Sequence, residues 1–149
     1  MILDRLRNRT IRDDDGSPYL TRWYLVRVLR QWLPGVFPHY FHRSDHDREL
    51  HNHPWRWAVA IILKGGYYEH RYDSRTKQTR VRYLPPISVS ILTPDIFHRV
   101  VLLDEARGSW SLFIAGPRFQ EWGFLDIETG QFESNTAREA RLERERRRT

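Results

Sequence analysis

Short runs of apolar and β-branched residues, separated by turn residues, fill the chain between residues 21 and 125. Residues 21–29 (TRWYLVRVL) are rich in aromatic and β-branched side chains and predict a strand. Residues 36–42 (VFPHYFH) predict a second, with Pro38 favouring an edge or a strand start. The polar stretch 43–49 reads as a loop. Beyond Pro54 the chain becomes a strongly apolar strand up to residue 63, and Gly65-Gly66 marks a turn. Residues 67–72 and 79–84 predict a hairpin around the polar loop 73–78. Pro85-Pro86 breaks the chain, and Ile87, Val89 and Ile91 then alternate with Ser88, Ser90 and Leu92. Strands at 98–103, 109–115 and 119–125 complete the series. About eight or nine short strands at regular spacing predict an all-β sandwich or barrel. Only residues 136–148 favour a helix, with Asn135 or Thr136 as N-cap. Its apolar face is limited to Ala137, Ala140 and Leu142, so the expectation is one barrel domain over 1–134 and a basic helical or frayed tail over 135–149.

Composition narrows the chemistry. With 149 residues, one domain is expected, large enough to bury a core without disulfides. The chain has no cysteine, which excludes thiolate metal sites, iron–sulfur clusters and cysteine nucleophiles. Any metal site must use nitrogen and oxygen ligands. The first ten residues are charged and lack an apolar stretch, and the longest apolar run, 58–63, falls far short of the roughly 20 residues of a membrane span. A cytoplasmic protein with no membrane partner is expected. The net charge is +6, and residues 136–149 contribute half of it through six Arg against three Glu. The remainder is spread thinly, so nucleic acid is not expected as a partner, since its recognition needs a clustered basic face.

The candidate chemistry lies in the histidines. Five of the seven fall within residues 39–53. His51 and His53 are spaced i, i+2, which puts both imidazoles on one face of a strand. Neutral imidazole is the commonest metal-binding side chain. His98, just after the turn Thr93-Pro94-Asp95, is the best third ligand. His39, His42, His46 and His70 are weaker candidates, although His42 could face the cavity from the preceding strand.

Residues 51–65 (HNHPWRWAVAIILKG) resemble the first motif of the cupin superfamily, which runs His-x-His, a few residues, a Glu, an apolar strand and a Gly turn. The two histidines, Pro54 and Gly65 fall in register. Pro94-Asp-Ile-Phe-His98 is similar to the second motif, a Pro turn followed shortly by a His. The resemblance covers roughly residues 36–115. It implies a double-stranded β-helix, or jelly-roll barrel, with one divalent metal ion held by His51, His53 and His98. It also implies, by analogy, a homodimer. Two departures matter. The motif's Glu falls at Ala58, which cannot ligate; the second motif is one residue short, with Ile96 in place of its Gly and no Asn after the His. A three-histidine set is known among iron-dependent thiol dioxygenases of the superfamily. Iron(II) is therefore the favoured metal, with zinc, manganese or nickel as alternatives.

Around these ligands, Glu69 follows the Gly65-Gly66 turn, where it could complete the metal site or act as acid or base. Trp55 and Trp57 continue the parity of the histidine pair and would form an apolar wall for a substrate if Pro54 preserves it. Tyr67 is a further pocket candidate. Arg118, after the Gly116-Pro117 turn, offers a planar fork for an anionic substrate. Asp45, Asp47 and Glu49 are candidates to orient histidines. Three functions fit: an iron-dependent dioxygenase acting on a small molecule, a non-redox isomerase, epimerase or lyase using Glu69 or His42 as proton shuttle, and a non-catalytic ligand-binding barrel.

Overall fold

The computed structural model describes residues 7–13, 15–25, 34–45 and 49–148. Two antiparallel sheets carry the fold. The first runs β1(Asn8–Arg12)–β2(Pro18–Trp23)–β3(Gly35–Phe41)–β10(Ser109–Ala115)–β5(Ala58–Lys64)–β8(Val89–Leu92). The second runs β12(Phe132–Ser134)–β11(Gly123–Leu125)–β4(Leu50–His51)–β9(Ile96–Leu102)–β6(Tyr67–Asp73)–β7(Gln78–Leu84). Strands that alternate between the two sheets along the chain give the jelly-roll arrangement that the strand pattern and motifs predict.

Period-two burial explains why these segments pair as they do. Ala58, Ala60 and Ile62 of β5 are buried while Val59, Ile61 and Leu63 are less so. In β10 Ser109, Ser111, Phe113 and Ala115 face inward, and in β3 so do Phe37, His39 and Phe41. The interior divides into two apolar clusters. One holds Leu20, Phe41, Ile62, Tyr67, Leu84, Val100 and Leu102. The other holds Phe37, Ala58, Ala60, Leu92, Ile96, Phe113 and Ala115, with Trp55 packed against it. A one-residue slip of any strand would expose its whole buried set, which is what fixes the register.

Several details differ from the sequence reading. The pattern of apolar residues does not predict β1, which lies in the charged N-terminal stretch and pairs with β2. Strand β2 ends at Trp23, and residues 26–29 of the predicted strand lie outside the described residues. In β8 the alternation runs opposite to simple apolarity. Val89 and Ile91 are exposed and Ser90 is buried, because Ser90 serves a buried carboxylate described below. Helix α1 (Asn135–Arg146) is capped by Ser134, whose hydroxyl accepts from the Ala137 amide, rather than by Asn135 or Thr136. Ser134 presents the usual extended cap backbone, so the change is one of position only. The helix is also not wholly solvated: Arg138 is buried, pairs with Glu49 at 2.5 Å and lies over the Phe124 ring at 4.1 Å. Its arginines Arg141 and Arg147 are offset by Glu133, Glu143 and Glu145. No helix among the described residues is long and apolar enough to cross a membrane.

Candidate metal centre

His51, His53 and His98 converge. One nitrogen from each lies within 4.8 Å of the others, and the ring centroids are 4.8–5.3 Å apart. His51 and His98 stand directly opposite each other on β4 and β9, which puts both rings on one face of that sheet. His53 reaches the same point by a different route from the strand alternation expected. β4 ends at His51, and β5 begins only at Ala58, so residues 52–57 form an irregular link. That link is tied down from both sides. Asn52 Oδ1 accepts from the Gly123 amide at 2.9 Å, and Gln120 Nε2 donates to the carbonyls of His53 and Pro94 at 3.0 and 3.2 Å. Gln120 thus clamps the loop carrying His53 to the turn that leads into His98.

The Nε2 atoms of His53 and His98 face each other at 2.8 Å. Behind His98, its Nδ1 stands 3.1 Å from Glu69 Oε1. Glu69 is fully buried and saturated: Ser90 Oγ donates to Oε1 at 2.7 Å, and Arg82 donates to Oε2 through Nη2 at 2.5 Å and Nε at 3.2 Å. Burial alone would raise the Glu69 pKa, but the contacts from His98, Arg82 and Ser90 hold it well below the usual carboxylate range. An ionised carboxylate at Nδ1 keeps the proton there and turns the Nε2 lone pair of His98 toward His53. Glu69 thus stands one layer behind the three imidazoles, its oxygens taken up by His98, Ser90 and Arg82. Asp45 Oδ2, which accepts from the Val100 amide, lies 3.9 Å from His51 Nδ1 on a similar side.

Electrostatics favour ligation. Burial pushes the His51 pKa down to about 4, opposed by Asp45 and assisted by His98 and Arg22. Burial, then the neighbouring His98 and His51, push His53 well below its ordinary value. Both rings are neutral at pH 7, with lone pairs available. Ala58, where the motif has Glu, is buried against Leu92 and Ala115 and adds no donor. Three imidazoles from fixed backbone, with the protonation of one set by a carboxylate behind it, fit a divalent ion and leave the rest of its coordination sphere to other ligands.

The other sequence candidates divide. Trp55 lies beside the histidines, stacked on His53 at 5.6 Å and tilted against Phe113 at 5.4 Å. Trp57 does not share that wall: it is 38 % exposed and covers Gly116, because the irregular link breaks the parity. Tyr67 points inward but into the cluster of Leu20, Phe41 and Leu102, away from Trp55. His42 has the outward parity of Tyr40 and hydrogen-bonds to Thr21 Oγ1 at 2.8 Å. Arg118 bridges to Trp55 through its backbone, and its side chain is exposed. His46 and Asp47 lie outside the described residues.

Arg22 and Arg71 carry no signal of their own in the sequence, and His39 stands there only among the weaker histidine candidates. Arg22 and His39 pair directly across β2 and β3, both with inward parity, and Arg22 Nε donates to His39 Nε2 at 2.8 Å. The His39 ring stacks on Phe113 at 5.0 Å, and Phe113 lies 5.3 Å from His53. Arg71 stands opposite His98 on β6, and its Nη1 is buried without a hydrogen-bond partner. Extending the apolar alternation of Leu20 to residue 22 would have found Arg22; the partner of His39 and the position of Arg71 needed the strand register.

No family model matches the chain, and no curated protein matches it. Solved structures do. Hydroxypropylphosphonic acid epoxidase from S. wedmorenis aligns over 77 % of this chain and 57 % of its own at 12 % identity, with a TM-score of 0.56. The Fe(II) form of HppE with an alternative substrate gives 0.58 over 77 % and 58 % at 12 % identity. A single-residue variant of oxalate decarboxylase from Bacillus subtilis gives 0.59 over 88 % and 31 % at 15 % identity. The chain thus spans well under two-thirds of the length of each of these proteins. Its two antiparallel sheets, its motif histidines and these structural likenesses together establish that the chain has the cupin fold.

Proposed function

We propose that the protein is a metal-dependent enzyme in which His51, His53 and His98 hold one divalent ion, iron(II) in the favoured reading, and that it carries out dioxygenase chemistry on a small molecule. The observation that carries this is the convergence of three imidazoles with the nearest carboxylate, Glu69, fully occupied behind one of them. A three-nitrogen set leaves coordination positions for substrate and dioxygen, and a bound ferrous ion would supply the redox chemistry. The chain's own contribution is positional. Glu69 fixes the His98 proton at Nδ1, Gln120 fixes the His53 backbone, and Trp55 and Phe113 keep the histidine edge dry. The comparison proteins act, by their names, on hydroxypropylphosphonic acid and oxalate, which supports a small-molecule substrate.

Non-redox proton transfer is less well supported. It needs a base within reach of substrate, and Glu69 is saturated while His42 faces outward. A second copy of the chain suits the exposed row Ile87, Val89 and Ile91 on and before edge strand β8, in keeping with a homodimer. The functional test is anaerobic loading with iron(II), followed by oxygen-uptake measurements against a panel of thiols, diketones and small acids. Substrate-dependent uptake is expected. No uptake with any of them, alongside turnover of a small acid by the zinc form without oxygen, would overturn the oxygenase reading in favour of Lewis-acid chemistry.

A further inference from the structure

Arg22 is a cation inside the barrel that the metal ligands do not use. Its strand, β2, buries Leu20 on the same parity, and its Cα partner is His39. The guanidinium lies over two aromatic rings, 5.5 Å from the Phe37 centroid and 5.8 Å from that of Trp55. Trp55 is in turn the ring stacked on His53. Arg22 is therefore one aromatic layer from the histidine cluster. His39 Nε2 accepts its Nε–H at 2.8 Å, which spends the side edge of the guanidinium and orients the Nη end.

The charge balance around this arginine is unusual. Among the described residues no carboxylate lies within ion-pair distance of Arg22. Glu69 is matched by Arg82, and the three metal ligands are imidazoles rather than carboxylates. A divalent ion at those ligands would bring two further positive charges. That excess of positive charge, beside the rings of Phe37, Trp55 and Phe113, suits a ligand that is anionic and compact. Burial lowers the Arg22 pKa, and the Tyr24 hydroxyl partly offsets this.

We propose that Arg22, oriented by His39, is the anchor for a carboxylate or phosphonate group of the substrate, so that the protein acts on small organic acids. Arg presents two parallel N–H groups that match such an oxyanion, whereas Lys offers only a point charge. Trp55 and Phe37 hold the guanidinium plane by cation–π contact and exclude water from the ion pair. This deepens the metal-enzyme reading and rests on it for the position of the reacting end, but the anchor itself belongs to the protein alone.

The test is calorimetric binding of lactate and methylphosphonate, with neutral lactamide as control, to metal-free and zinc-loaded protein. Zinc stoichiometry and thermal unfolding are measured on every variant. For wild type, one or both anions should bind and lactamide should not. Arg22→Gln should weaken anion binding about 10- to 100-fold, the range of a lost charge-assisted hydrogen bond, with zinc stoichiometry unchanged. Arg22→Lys should recover part of it, and His39→Leu, which leaves the charge but removes its brace, should lose less than Arg22→Gln. Equal anion affinity in wild type and a folded Arg22→Gln would overturn the proposal, as would lactamide binding as well as lactate, or neither anion binding either form. A loss seen only in Arg71→Gln would reassign the anchor and likewise overturn it. Failure of the zinc uptake with Arg22-dependent anion binding intact in the metal-free protein would instead count against the metal reading alone.

Discussion

Replacing Glu69 with Gln tests whether the buried carboxylate governs the metal site. The change is nearly isosteric and creates no cavity. It removes the charge that Arg82 contacts through two nitrogens, at 2.5 and 3.2 Å, and that faces His98 Nδ1 at 3.1 Å. It also sets an amide N–H₂ against Arg82 or against His98, donor to donor. Hydrogen bonds to charged groups are worth roughly 1.5–3 kcal/mol each. Arg82 is 37 % exposed and can turn to water, which puts its share at the low end. The expected loss of stability for the metal-free protein is about 3 kcal/mol, read from the urea midpoint and slope. The second readout is specific to the site. With the amide nitrogen toward His98 the acceptor at Nδ1 is lost, and with the oxygen toward it only a neutral acceptor remains; either way the tautomer is held less firmly, and metal affinity should fall about 10- to 100-fold, as for other partners behind metal ligands. Zinc competition against a chromophoric chelator measures this directly. A folded Glu69→Gln that binds zinc as tightly as wild type would show that Glu69 does not govern the site, whatever its stability.

Other consequences are open to simpler assays. Stability of the metal-free protein should depend on acid pH through His51. Its folded pKa of about 4 lies below the ordinary 6.5, so between those values the unfolded chain binds a proton that the folded chain does not. The contribution is complete above about pH 6.5 and is lost as pH falls toward 4, by about 3 kcal/mol; His53 acts in the same direction, and Glu69 adds its loss below its ordinary 4.5. Urea midpoints that stay constant between about pH 7.5 and 5 would contradict this. Phe113→Ala should cost about 3–5 kcal/mol and weaken metal binding as well, since the ring is buried and supports both His39 and His53. Arg138→Ala should release α1, seen as lost helical circular dichroism, because Arg138 joins the helix to Glu49 and Phe124; unchanged helicity would show that the helix docks by other means.

Much of the barrel is legible in the sequence because half-buried antiparallel strands print their period there, as β5, β6 and β10 do. The three histidines are legible for a related reason: a spacing of two, a Pro turn and a motif register that survive without knowledge of pairing. What fails are inferences that carry parity through irregular backbone. Alternation puts Trp57 on the histidine face, but residues 52–57 do not form a strand, and two residues of offset no longer mean one face. Glu69 illustrates a different limit. Its inward position follows from strand alternation, yet its role depends on Ser90 and Arg82 arriving from β8 and β7, and only the fold brings those together. Arg22 escapes notice, and His39 stands only among the weaker histidines, because a charged residue and a histidine in apolar strands read singly as surface or structural residues. Paired across β2 and β3 they face inward.

His51, His53 and His98 are the centre on which every functional step above depends. Its most direct test is elemental analysis of the protein as isolated, repeated on His51→Ala and His98→Ala after confirming that both variants fold. Close to one equivalent of a divalent transition metal is expected in wild type and little in either variant; metal retained at the wild-type level by both would rule out these histidines as the ligands.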